Sequence, residues 1–85
     1  MPRALTMRSL PGSSDSRAER LRALRERRAQ AKGFGCNYWL FADEADPDAF
    51  VEFVEGPDRA TLLAACVSAI DHEGPPRILL EVELG

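Results

Sequence analysis

Two glutamates are the residues best suited to proton transfer, because each lies in a segment that is otherwise rich in apolar side chains. Glu52 lies within Ala-Phe-Val-Glu-Phe-Val-Glu (49–55), and Glu81 lies within Ile-Leu-Leu-Glu-Val-Glu-Leu (78–84). A carboxylate in such surroundings is a candidate general base. Neither a nucleophile with its base nor a glycine-rich phosphate loop accompanies them, so we assign no catalytic residue.

The sulfur and imidazole groups give no sign of a metal or redox centre. Cys36 and Cys66 are 30 residues apart, and neither belongs to a Cys-x-x-Cys pair. We therefore predict two buried, reduced thiols. His72 is the sole histidine and falls at the end of a predicted helix, where the helix dipole alone explains it. No metal and no cofactor are predicted.

Length and composition predict a single domain, 1–85, of ordinary globular type, with 45% apolar and 29% charged residues. We expect no membrane span and a cytoplasmic location. The charge is divided: residues 1–32 carry nine basic and three acidic side chains, whereas residues 33–85 carry two and eleven. This division favours two surfaces that attract each other, within the fold or between copies, over a nucleic-acid-binding arm.

The N-terminal half of the chain predicts a strand followed by an amphipathic helix. A weak alternation over residues 3–10 indicates a short strand. Ser16 and Glu19 form a capping-box pattern for a helix over about 16–32, and glycines follow its end. Arg28 interrupts the apolar stripe of this helix, either by extending its guanidinium into water or by pairing with an acid. The stripe consists of Ala18, Leu21, Leu24 and Ala31.

The C-terminal half predicts two strands, a second helix and a last strand. Residues 36–43 and 49–55 alternate in the manner of strands and are apolar on both faces, which indicates that both faces are covered. An acidic connection with Pro47 joins them. A helix is predicted over 57–70 and a strand over 77–84.

This order predicts an α+β fold of the ferredoxin-like βαββαβ type, with two helices on one face of a four-stranded antiparallel sheet. We expect Phe50, Glu52 and Glu81 on the opposite face, which would pair with a second copy into a dimeric barrel. The pattern leaves open whether Trp39 and Phe41 or their neighbours Tyr38 and Leu40 join them. The candidates for lining the cavity between the sheets are Asn37, Trp39, Phe41, Phe50, Glu52 and Glu81.

Three consecutive features of the chain are the run Asn-Tyr-Trp-Leu-Phe (37–41), the acidic Asp-Pro turn at 46–47 and the strand at 49–55 leading into a helix. This pattern resembles the antibiotic-biosynthesis-monooxygenase-like branch of the dimeric α/β-barrel superfamily. The resemblance implies a small homodimer. It also implies, for some members, oxidation of aromatic compounds without a bound cofactor. Many members carry a histidine in the second helix, and residues 57–70 contain none.

The favoured function is a homodimeric ligand-binding or accessory protein with an apolar cavity between the sheets, suited to a small apolar or aromatic ligand. The alternative is a cofactor-independent monooxygenase-like enzyme, in which Asn37 and Trp39 place an aromatic substrate and Glu52 or Glu81 accepts its proton. The RNA-recognition motif shares the topology, but Asp46-Pro47-Asp48 replaces its basic and aromatic signature. We therefore predict no nucleic-acid partner.

Overall fold

A computed structural model describes residues 2–10, 12, 15–68 and 77–85 of the chain. Four strands form one antiparallel sheet in the order β2-β3-β1-β4. Both helices pack against the same side of it. This is the predicted ferredoxin-like α+β arrangement. The elements are β1 (Ala4–Leu10), α1 (Arg17–Gly33), β2 (Asn37–Ala42), β3 (Phe50–Gly56), α2 (Arg59–Ser68) and β4 (Arg77–Leu80).

Helix α1 begins and ends where the sequence predicts. The Ser16 Oγ accepts a hydrogen bond from the Glu19 amide at 3.1 Å, as the capping-box pattern requires. At the other end Gly35 adopts a φ of 79°, and the Cys36 amide donates to the Ala31 carbonyl at 2.9 Å. This is a Schellman motif, which turns the chain directly into β2.

Helix α2 begins two residues later than predicted, because Asp58 caps it. Its Oδ1 accepts a hydrogen bond from the Thr61 amide at 2.7 Å, and this bond lowers the pKa of Asp58. Gly56 precedes the cap and lies so close to the helix that a Cβ there would stand 3.1 Å from the Leu62 Cβ. The predicted end of this helix at residue 70 and His72 both lie outside the described residues.

The last strand is shorter than the predicted 77–84, because its partner β1 provides too few residues. Leu80 pairs with Ala4, the first residue of β1, and the Glu81 amide then donates to the Arg3 carbonyl at 2.9 Å. Residues 82–85 lie beyond this pairing, and Val82 and Leu84 are 75% and 96% exposed.

The core between sheet and helices is built mainly from small side chains, which lets the helices approach the sheet closely. Leu62 is fully buried, and Cys36 is 2% exposed. Both cysteines are free thiols, and burial raises the pKa of each. The main cluster consists of Ala4, Ala31, Cys36, Val54, Leu62 and Ala65.

Candidate functional site

Glu52 lies on the helix side of β3 and is bound by a cation and a phenol. Its carboxylate is 2% exposed. The Arg27 guanidinium of α1 donates to both carboxylate oxygens, at 2.7 Å from Nε and 2.6 Å from Nη2. The Tyr38 hydroxyl of β2 donates to Oε2 at 2.6 Å. The three side chains therefore connect α1, β2 and β3 through one buried carboxylate.

The electrostatics of this group keep Tyr38 and Arg27 in the protonated forms that donate hydrogen bonds. Burial raises the pKa of the Tyr38 phenol, and the neighbouring carboxylate raises it further, so the phenol remains a donor. Burial alone would lower the pKa of Arg27, but its bonds to Glu52 outweigh that effect and the net pKa is raised. The group is thus a neutral donor and a cation around a carboxylate acceptor.

Among the residues that the structure describes, there is almost no free space beside Glu52. The adjoining cavity measures about 10 Å³, which is room for at most about one water molecule. Its other lining residues include Arg8, Thr6 and Cys66. The Glu52 oxygens already accept three hydrogen bonds, and this cavity, as the described residues form it, is too small for a substrate. The contacts of Glu52 therefore hold α1 on the sheet.

Phe50 lies on the same side of β3 and is 2% exposed. The guanidinium carbons of Arg17 and Arg20 stand 5.4 Å and 4.5 Å from its ring centroid. The same two arginines donate to the carbonyls of Pro47 and Asp48, at 3.1 Å and 2.7 Å. This contact joins the start of α1 to the loop between β2 and β3.

The prediction that Phe50 and Glu52 lie on the face away from the helices was therefore wrong. Val51 and Phe53 occupy that face instead, and the even-numbered residues of β3 are buried. The sequence analysis placed Glu52 with Glu81 on the side of the sheet away from the helices. In the structure Arg27 and Tyr38 supply the hydrogen bonds that make its burial tolerable.

The face of the sheet away from the helices is rich in apolar side chains, and no described helix covers it. Trp39 and Phe41 are 43% and 56% exposed there, and Phe41 meets Phe53 edge to face with ring centroids 5.6 Å apart. Tyr38 and Leu40 point to the helix side, which settles the alternative that the sequence left open. We call this surface the open face; its apolar part consists of Leu5, Met7, Trp39, Phe41, Val51, Phe53 and Leu79.

Charged and polar residues gather at one end of the open face. Arg3 donates to both oxygens of Glu81, at 2.7 Å and 3.3 Å, and approaches Glu55 to 3.7 Å. The hydrogen bond from Arg3 lowers the pKa of Glu81. Asn37 donates to Glu55 at 3.1 Å. A hollow of about 240 Å³ lies here, lined by Arg3, Ala4, Leu5, Glu55, Leu79, Leu80 and Glu81.

Of the six residues predicted to line a cavity, the structure brings Asn37, Trp39, Phe41 and Glu81 to the open face and places Phe50 and Glu52 on the other side. Sequence reasoning missed Arg27 and Tyr38. A signal was present: Arg20, Leu24, Arg27 and Ala31 recur at helical spacing, and all four are buried or half-buried.

Neither a metal-binding cluster nor a membrane-spanning helix occurs in the part of the chain that the structure describes. No group of three or more histidine, cysteine, aspartate or glutamate side chains there could hold a metal ion. None of the described helices combines the length and the apolar character that crossing a membrane requires.

Comparison with known proteins gives one informative likeness. No family model matches the chain, and no curated protein matches it. A solved structure described as the crystal structure of antibiotic biosynthesis monooxygenase is similar over the full length of both chains, with 24% identity and a TM-score of 0.65. The chain therefore has the same fold as this structure, the ferredoxin-like α+β fold.

Proposed function

We propose that this protein is a homodimeric binding or accessory protein, in which two copies pair through their open faces and enclose an apolar space for a small apolar or aromatic ligand. The observation that carries the proposal is the exposure of Trp39 and Phe41 beside Phe53. A cytoplasmic location is part of the proposal, because two free thiols suit a reducing compartment.

The exposed aromatic area is large for so small a chain. At 43% and 56% exposure, Trp39 and Phe41 together leave about 200 Å² uncovered, given that such side chains bury 150–250 Å² each. Covering that area is worth about 5 kcal/mol per protomer at 25 cal/mol/Å², as an upper bound. A chain of 85 residues has a total stability of about 4–13 kcal/mol, so the gain is comparable with the stability of the fold.

A second copy is the occupant that this surface favours. A stable interface needs about 800 Å² from each partner, which requires most of the open face rather than one pocket on it. At the charged end of the open face, Arg3 lies beside Glu55 and Glu81. Positive and negative charges of one copy can therefore face opposite charges of an identical copy across a two-fold axis. The likeness in fold to a superfamily of dimeric barrels supports the same partner.

The monooxygenase-like alternative has less support from the geometry. Its two proposed proton acceptors lie on opposite sides of the sheet, Glu52 under α1 and Glu81 on the open face. Each is bound by an arginine, which stabilises the carboxylate but occupies its oxygens. Binding without chemistry is therefore the function that we propose.

Sedimentation velocity over a wide concentration range tests the proposal with a matched pair of variants. Phe41→Asp places a charge on the open face, whereas Ala42→Asp places the same charge on the next residue, which is also exposed but belongs to the other side of the sheet. We expect a wild-type dimer, at least a tenfold weaker association for Phe41→Asp, and little change for Ala42→Asp. A monomeric wild type, or a Phe41→Asp variant that associates normally, would contradict the proposal.

A further inference from the structure

A second concave surface lies on the helix side of the sheet, between α1 and β2. We call it the α1–β2 groove. Its volume is about 250 Å³, and it is lined by Leu21, Leu24, Arg25, Arg28, Tyr38 and Leu40. Because β2 is at the edge of the described sheet, no further strand closes this side of the groove in the part of the chain that the structure describes.

The periodicity of both elements produces the groove. Its four α1 residues have the spacing i, i+3, i+4 and i+7, which places them along one side of the helix. Tyr38 and Leu40 are alternate residues of β2 and point to the same side of the sheet. The two leucines of α1, with Tyr38 and Leu40, form an apolar floor of buried and half-buried side chains.

Two guanidinium groups border this floor and have no partner among the described residues. Arg25 and Arg28 are exposed, and within the described residues neither makes a hydrogen bond or an ion pair. Arg17 and Arg27 of the same helix do so, through the Pro47 carbonyl and Glu52. In the described part of the chain, no acidic residue lines the groove to neutralise the two positive charges.

We propose that the α1–β2 groove binds a small amphiphilic carboxylate, with its ring or short alkyl chain on the apolar floor and its carboxylate held by Arg25 and Arg28. Guanidinium groups match a carboxylate in geometry as well as in charge. The volume is slightly below the usual range for ligand sites of about 300–1,000 Å³, so the groove suits a ligand with one ring. The site belongs to each protomer and lies on the opposite side of the sheet from the open face.

The test compares 3-phenylpropanoate with its uncharged amide, 3-phenylpropanamide, which has the same size and the same ring. Each compound is titrated into the ¹⁵N-labelled protein, and backbone amide shifts are followed by NMR. We expect the carboxylate to shift the amides of Leu21, Tyr38 and Leu40 and to bind at least about threefold more tightly than the amide. Added salt should reduce the difference.

Variants identify the residues that are responsible. Arg25→Gln and Arg28→Gln should each weaken carboxylate binding about twofold to fivefold, as expected for exposed ion pairs. Arg22→Gln removes an exposed charge from α1 outside the groove and should leave binding unchanged. Leu21→Glu keeps both arginines but supplies an acid four residues before Arg25, and it should weaken binding as well.

Three results would overturn the proposal. The first is the absence of any shift in the groove at the highest soluble concentration of 3-phenylpropanoate. The second is equal affinity for the carboxylate and the amide. The third is an effect of Arg22→Gln as large as that of Arg28→Gln, which would assign the binding to general charge on the helix.

Discussion

The most direct test of the structure is to remove Arg27, because its partner is the most deeply buried charge described. In Arg27→Met the aliphatic stem is kept. Among the described residues, the Glu52 carboxylate, 2% exposed, then retains only the hydrogen bond from Tyr38. Removing one partner of a buried ion pair costs about 3–5 kcal/mol, since the remaining charge stays desolvated. We expect Arg27→Met to lose that amount, a large part of the total of about 4–13 kcal/mol.

The converse change should be milder. Glu52→Gln leaves the Arg27 side chain, which is 22% exposed, able to turn toward water, and we expect a loss of about 1–3 kcal/mol. In the double variant neither member of the pair leaves a buried charge, so its loss should be smaller than the sum of the two single losses by about 2 kcal/mol. A coupling energy of this size between the two substitutions would identify Arg27 and Glu52 as an ion pair.

Urea denaturation provides the assay, followed by far-UV circular dichroism and by the fluorescence of Trp39, the sole tryptophan. All variants must be compared at one protein concentration, because association would add to the apparent stability. An Arg27→Met variant within 1 kcal/mol of wild type, or a coupling near zero, would refute the placement of Glu52 beneath α1.

Two further predictions concern a titration and a close contact. The pKa of Tyr38 is raised in the folded protein and has its ordinary value of about 10 in the unfolded chain, so the free energy of unfolding should fall by about 1.4 kcal/mol per pH unit above pH 10. Tyr38→Phe should abolish this component of the pH dependence. The phenolate absorbance of Tyr38, the sole tyrosine, should appear only on unfolding. Gly56→Ala should destabilise the protein by about 1–3 kcal/mol, measured by urea denaturation, because the new Cβ would stand 3.1 Å from the Leu62 Cβ. The control is Gly33→Ala, whose Cβ meets nothing within 4 Å and which should be neutral or stabilising. Equal losses of stability in the two variants would contradict the close packing at Gly56.

The order of elements could be predicted from the sequence because its signals are local. Ser16 and Glu19 mark the start of α1, and Gly35 provides the left-handed residue that ends it. The alternation over residues 37–42 and 50–56 is also local, and it gives the strands without indicating which face meets the helices. The fold followed from these signals, since few topologies accommodate that order of elements.

The assignment of faces could not be predicted, because it depends on contacts between distant residues. Both faces of β3 carry aromatic and aliphatic side chains, so hydrophobicity does not distinguish them. The buried face is the one with Glu52, which is stabilised by Arg27 and Tyr38, 25 and 14 residues away. Arginines on a helix normally indicate the solvent side, yet Arg17, Arg20 and Arg27 contact the sheet or its connecting loop.

Because neighbouring residues of β2 point to opposite sides of the sheet, this one strand contributes to both proposed binding surfaces. Trp39 and Phe41 belong to the open face, while Tyr38 and Leu40 line the α1–β2 groove. The two proposals can therefore fail separately. We expect Phe41→Asp to be monomeric and still to bind 3-phenylpropanoate, and Arg28→Gln to stay dimeric and bind it weakly. That pair of results would show that dimer formation and carboxylate binding are independent properties of the two sides of one sheet.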